Sequence, residues 1–296
     1  MYPHPERARR WRRGGGLWQA VACTTFVSIL ATAHVALADP LGGGALHVSK
    51  QLPLTPSDHN ITWIGSVTSQ GDAVMGGPLA RSGFGVDGSG VKVGIISDSF
   101  NLFGGQPAGI ASGNLPGPGN PDGYATAVNV LQEGVGAGNL DEGRAIAELV
   151  HDVAPGAQIL FHTAFNNPET TPSGSIAVAI SNLVSAGADI IVDDVFDLRS
   201  PAYQDGAAAQ AVDAAYAAGV AYFSSAGNNA NNAYESSYTP IFATNHDFDA
   251  NANEGGSNLL GIGNIPNGGQ VVAALWWDDG YASLGGTHTT DYHLGI

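Results

Sequence analysis

The chain has 296 residues, 44% of them hydrophobic and only 12% charged, with a formal net charge of −16. That length holds one large domain, or one domain and part of a second, and the excess of acid excludes a nucleic-acid partner. Glycine reaches 42 residues without a collagen-like period, so the composition is that of a loop-rich globular protein.

The amino terminus reads as an export signal. Arg7, Arg9, Arg10, Arg12 and Arg13 make a basic head. Leu17 to Val35 is mostly apolar, and Ala36-Leu37-Ala38 is a small-residue cleavage site before Asp39. The paired arginines also fit twin-arginine export. A membrane anchor fits less well, because Gln19, Thr24, Thr25, Ser28 and His34 interrupt the apolar run. The expectation is a signal peptide over 1–38 and a secreted protein, extracellular or periplasmic, with no stable membrane association after cleavage. Cleavage removes half of the basic residues and the only cysteine, Cys23. The mature chain is then more acidic still, with neither a disulfide nor a thiol nucleophile.

Residues 39–84 read as a Gly- and Ser-rich extension. Gly83, Gly85, Gly88 and Gly90 precede a strand, whereas a dinucleotide-binding turn must follow one, so that reading fails. Val91 to Ser97 is apolar except for Lys92 and predicts a buried parallel strand that ends at Asp98-Ser99. Residues 103–124 read as a Gly/Pro/Asn loop. A helix is expected from about Asp141, with Ile146, Leu149, Val150 and Val153 at helical spacing and Pro155-Gly156 as its stop. Glu142, one turn before Ile146, is placed on the same inward face. Arg144 and Glu148, four apart, are placed on another face where they can pair. A strand follows at Gln158 to Phe165, a helix at Ser175 to Ser185, and a strand from Asp189 to Val192 that ends at Asp193-Asp194. An alanine-rich helix spans Tyr203 to Ala218, and a strand spans Gly219 to Ser225.

Strands alternating with helices predict an α/β fold, a parallel sheet with helices on both faces, over residues 85–240. The strands deliver Asp98, Asp193, Asp194 and Asn228 to their carboxyl ends, the edge where such sheets hold their chemistry. Beyond residue 240 the texture turns acidic and Asn/Gly-rich, and Val271 to Trp277 and Tyr292 to Ile296 read as strands. Residues 241–296 are therefore expected to begin a β-rich subdomain. Asp247-Phe248-Asp249-Ala250-Asn251 is similar to the start of a calcium loop but lacks its glycine and distal glutamate. Calcium is thus the one cofactor to weigh, and no metal ligand is assigned.

Three segments resemble the subtilisin-like serine peptidases. Val91 to Ser99 resembles the strand that ends in their catalytic aspartate, here Asp98. Asp189 to Val195 resembles the strand that lines their substrate cleft, which puts Asp193 and Asp194 at substrate-binding positions. Tyr222 to Ala230 resembles their oxyanion-hole segment, with Asn228 on the asparagine. At the histidine position the chain departs from subtilases and reads Glu142-Gly143-Arg144-Ala145. That substitution is similar to sedolisins, acid-active relatives with a glutamate base. So is the thirteen-residue spacing from Glu142 to Pro155 of an Ala-Pro pair. The aspartate that sedolisins carry one turn later is Ile146 here, and their oxyanion aspartate is replaced by Asn228.

The resemblance implies a serine peptidase acting on protein or peptide substrates, with Asp98 and Glu142 as an acid–base pair that titrates together. A glutamate base implies an acid optimum. His151 lies too far along its helix to stand in for the missing histidine and reads as structural. No nucleophile turn is found. Gly286-Thr287-His288 has histidine where the serine belongs, and no Gly-x-Ser-x-Gly elbow follows the sheet. The serine is therefore expected beyond Ile296. The alternative is a non-catalytic exported binding protein on the same scaffold.

Overall fold

The computed structural model describes residues 65–136, 139–165, 172–197, 200–228, 233–241, 245–248, 257, 260, 272–281, 284–287 and 292, together with the backbone of 17–23. In chain order the elements are β1 (Leu17–Cys23), α1 (Gln70–Val74), α2 (Gly77–Phe84), β2 (Lys92–Ser97), α3 (Gln106–Ser112), β3 (Asn129–Gln132), α4 (Glu142–Val153) and β4 (Gln158–Thr163). They continue with α5 (Pro172–Ser185), β5 (Ile190–Asp193), α6 (Ala207–Ala217), β6 (Ala221–Ser224), β7 (Ala233–Ser237), β8 (Pro240–Ile241), β9 (Asn245–His246) and β10 (Val272–Trp277).

The body is a five-stranded sheet in the order β3-β4-β2-β5-β6. Each neighbouring pair is parallel, with Ile95 opposite both Phe161 of β4 and Val192 of β5. The central strands are apolar on both faces because both faces are covered, as expected for a parallel sheet. On one side α5 and α6 bury Ile96, Leu160, Ile180, Leu183, Ile191 and Val220. On the other, α4 and the loops after β2 and α3 bury Ile95, Phe100, Leu115, Ala147, Ile159 and Phe161.

Among the described residues, that second face is packed over β2 and β4 and less fully over β5 and β6. Ile190 and Val192 of β5 are half-buried there. Phe223, which alternates with the inward Tyr222 along β6, is 61% exposed. Leu149, on the flank of α4, is 50% exposed.

The inward face of α4 corrects the sequence expectation. Gly143, Ala147 and His151, with Asp152, are the buried residues, whereas Glu142 and Leu149 are exposed and Ile146 and Val150 half-buried. The helix meets the sheet through its small residues. A Cβ on Gly143 would lie 2.2 Å from Phe161 Cε2 and 2.7 Å from the Ser99 carbonyl oxygen, so only glycine permits this approach.

Elsewhere the expected α/β pattern is present with three additions. The 103–124 loop contains α3, opened by Pro107 in its first turn and closed by Gly113 in the left-handed region. Edge strand β3 precedes α4, and the extension carries α1 and α2. Helix α6 begins at Ala207, four residues later than expected, with Gly206 as its N-cap.

Beyond the parallel sheet, β10, β1 and β7 form an antiparallel sheet in that order, and β8 pairs with β9. Strand β1 falls inside the expected signal peptide. Strand β10 coincides with the expected 271–277 strand; of 292–296 only Tyr292 lies within the described residues. No described helix is long and apolar enough to cross a membrane.

Candidate active site

Strand β2 delivers Asp98 to the carboxyl edge of the sheet, beside the start of α4. Asp98 is buried, and its carboxylate accepts backbone N–H bonds from Ser99, Leu140 and Glu142, the last at 2.9 Å. Glu142 is the first residue of α4, so Asp98 is an anion at that helix's amino terminus, bound to donors that have no partner within the helix. The Asp98 carbonyl accepts from Thr163 Oγ1 at 2.6 Å, which ties the end of β2 to the end of β4.

The same edge is braced by two acids that sequence reasoning passed over. Asp141 precedes α4 with φ 57°, and its carboxylate accepts from Ser99 Oγ (2.9 Å), the Leu102 amide (2.8 Å) and the Phe103 amide (3.1 Å), with Arg144 at 3.3 Å. Burial alone would raise its pKa. The Phe103 and Leu102 amides, the Ser99 hydroxyl and Arg144 outweigh burial and hold it below the ordinary carboxylate value. Glu133, after β3, accepts the amides of Phe100 (2.7 Å) and Asn101 (2.8 Å). The turn Ser99–Phe103 thus receives its shape from Asp98, Glu133 and Asp141. The only local signal was an aspartate just before a helix, and that pattern ordinarily reads as a cap.

Glu142 extends over this edge toward Asp98 and Asp194. Its pKa is raised, first by burial of part of the carboxylate, then by the negative charges of Asp194 and Asp98. The Ser97 hydroxyl beside it acts the other way without reaching hydrogen-bonding geometry; Ser97 Oγ is buried with no hydrogen-bond partner among the described residues. Arg144 lies on another flank of α4, 3.6 Å from Glu148 as expected, and forms no ion pair with Glu142.

The structure therefore brings together Asp98, Glu142 and Asp194. Asp193 is separated from them by the pleat. It points to the opposite face, where it accepts from Ser224 Oγ at 2.9 Å and hydrogen-bonds Tyr222, whose hydroxyl pKa is raised by burial and by that bond. There it lines a cavity of about 430 Å³ with Asp197, Asp205, Asp213, Ile176 and Val212. Asn228 sits in an exposed turn four residues past β6, after Gly227 at φ 72°, on the same sheet edge.

His151 and His162 are both buried. His162 is bound to the Thr163 carbonyl and Asn182, so it belongs to the core. Among the described residues no three His, Cys, Asp or Glu gather in a metal-binding arrangement. Asp247, from the segment similar to a calcium loop, accepts the Ser257 amide at 2.8 Å, and residues 249–251 lie outside the described residues.

No protein-family model and no curated protein matches the chain. Among solved structures it is similar to the self-cleaved protease domain of PatA, with 18% identity and a TM-score of 0.35 over 48% of this chain and 52% of that one. It is also similar to the prenylagaramide maturation protease PagA, with 15% identity, a TM-score of 0.32, and 45% and 44% of the two chains covered. For the PatG macrocyclase in complex with peptide the values are 12% identity, a TM-score of 0.34, and 56% and 58% coverage. The chain spans about half the length of these structures.

Proposed function

We propose that the chain is part of the catalytic domain of an exported serine-type endopeptidase that acts on protein or peptide substrates and works best at acid pH. The observation that carries this reading is Glu142, which opens α4 beside the Asp98 carboxylate and whose pKa is raised by partial burial and by the charges of Asp194 and Asp98. A carboxylate in that setting binds a proton more tightly than an ordinary glutamate and is a better general base. Asp98 positions it by fixing its backbone N–H, and Asp194 adds the second charge.

In the reaction a serine hydroxyl attacks the peptide carbonyl. Glu142 takes the hydroxyl proton and returns it to the leaving amine as the C–N bond breaks. Water then hydrolyses the acyl-enzyme. The Asn228 side-chain amide donates to the oxyanion, while Asp193 and the cavity beside it contact substrate side chains. The nucleophilic serine is supplied by a segment outside these 296 residues. The part of the sheet beside α4 where Phe223 is exposed and Ile190 and Val192 are half-buried is the place for that segment to pack.

A second reading, an exported binding protein, draws on Asp98 itself, whose carboxylate is fully occupied by backbone donors. Labelling the natural secreted protein with a fluorophosphonate, followed by peptide mapping, separates the two. The peptidase reading expects one labelled serine carboxyl-terminal to Ile296, cleavage of a peptide substrate below neutral pH, and no turnover by residues 39–296 alone. Absence of a labelled serine, or an optimum above about pH 8, overturns it, because an unperturbed glutamate titrates near 4.3. Export is tested by amino-terminal sequencing. A mature terminus at Asp39 supports it and would also remove β1 from its sheet; a terminus at Met1 refutes it.

A further inference from the structure

Residues 65–84, which hold α1 and α2, are fastened to the sheet domain mainly by polar groups. Asp122 accepts the Gly65 amide at 3.1 Å, and Asn114 accepts those of Ser66 and Val67 at 2.9 and 3.1 Å. Asp152 accepts the Ser69 amide at 2.6 Å. Arg81, paired with Asp72 at 2.6 Å, donates to the Val153 carbonyl at 2.9 Å. Apolar attachment is slight: Val67, Val74, Met75, Leu79 and Phe84 are all exposed.

Beneath these fasteners lies His151 of α4, 0% exposed, with neither ring nitrogen hydrogen-bonded to any described residue. Its ring stands edge-on to Tyr124 at 5.2 Å. A buried imidazole without a partner is tolerated only when neutral. Asp122, in the segment after α3, is the charged group that acts on it. Tyr124, its ring neighbour, feels Asp87, Asp122 and Arg81, and Asp152, the next residue of α4, feels Asp72 and Arg81.

We propose that His151 is an acid-sensitive latch: when protonated it draws Asp122 away from the Gly65 amide and releases residues 65–84 from the sheet domain, which stays folded. In the closed state burial pushes His151 down to about 4 from an ordinary 6.5, with Asp122 pulling weakly the other way. Release returns the ring to water and to its ordinary value. The latch is therefore closed above about pH 6.5, and opening is increasingly favoured as pH falls toward 4. The opening constant rises by about 80-fold over that range. Asp152 opposes this, because burial raises its pKa and protonation favours the closed state, but the shift on His151 is the larger. This inference does not depend on the peptidase reading.

Hydrogen-exchange mass spectrometry of the whole chain at pH 7.0, 5.5 and 4.0, corrected for intrinsic exchange rates, tests it. Peptides from 65–84 should lose protection toward pH 4 while those covering Val93–Ile96 and Ile159–Phe161 keep theirs. In His151→Phe the 65–84 peptides should stay protected at pH 4. If that variant does not fold, His151→Gln, which cannot titrate, should show protection independent of pH. Protection of 65–84 retained at pH 4 in the unaltered chain, loss of protection at the same pH in the variants, or simultaneous loss across the sheet overturns the proposal.

Discussion

Replacing Gly143 with alanine sets two known effects against each other. Inside a helix the exchange gains about 1 kcal/mol of propensity. Here the added methyl would sit 2.2 and 2.9 Å from two ring carbons of Phe161 and 2.7 Å from the Ser99 carbonyl oxygen. Neither neighbour can give way. Phe161 is fully buried and packs on Phe100 at a centroid distance of 5.7 Å, and the Ser99 oxygen is backbone in a turn pinned by Asp98 and Asp141. Overpacking of this kind costs about 3 kcal/mol, at the upper end of its usual range, so the net loss is about 2 kcal/mol. For a domain of this size that lowers Tm by about 4–8 °C. Urea and thermal unfolding followed by circular dichroism measure it. Gly83→Ala is the control: it lies in α2 with no atom within 4 Å of the new methyl, and should gain about 0.5–1 kcal/mol. A Gly143→Ala protein as stable as the parent would refute the claim that α4 is seated on the sheet through this glycine.

Asp98→Ala strips the acceptor from three backbone amides and should cost about 2–4 kcal/mol; a loss below 0.5 kcal/mol in urea melts would contradict its bracing role. Glu142→Gln should behave oppositely. A carboxyl whose pKa is raised in the folded state opposes folding once ionised, so the variant should be more stable at pH 7, by less than about 1 kcal/mol because the group is partly exposed. That advantage should vanish below about pH 4.5; an advantage constant from pH 7 to 3.5 would refute the electrostatic account. Asn228→Ala, in an exposed turn, should leave stability within about 0.5 kcal/mol, while in the active full-length protein kcat should fall about 10²–10³-fold. Equal kcat for Asn228→Ala and the parent would remove it from the oxyanion role.

The strands of the parallel sheet were legible because central strands buried on both faces read as unbroken apolar runs. Val93–Ile96 and Ile159–Phe161 leave little else to choose. Strand β3 was not legible: it is a four-residue edge, Asn129–Gln132, with polar residues at both ends. Helix α3 was masked by its Gly-Pro-rich composition. The face of α4 was misjudged because the larger side chains Ile146, Leu149, Val150 and Val153 define one stripe, while the surface that meets the sheet is set by how closely the backbone can approach. That favours Gly143 and Ala147, residues with almost no hydrophobic signal. At the site, Asp98 and Glu142 were legible as a pair across 44 positions. The roles of Asp141 and Glu133 were not, since a carboxylate that gathers backbone amides of a distant turn looks in sequence like any solvated acid.

The strand order has a consequence for how the chain reaches its fold. Strand β2 is made first among the five yet lies in the centre, and its partners arrive late: Lys92 pairs with Gln158 and Val93 with Ile190. No strand in this sheet can close as a hairpin, because every neighbour is parallel and needs a crossover. Loop closure over such separations must be met before any pairing is rewarded, which makes folding slow. During synthesis Val93–Ile96 would wait, unpaired and apolar, while about a hundred more residues emerge, at rates of about 5–20 per second. The strand that organises the mature sheet is thus also the segment most exposed to wrong partners before the sheet exists.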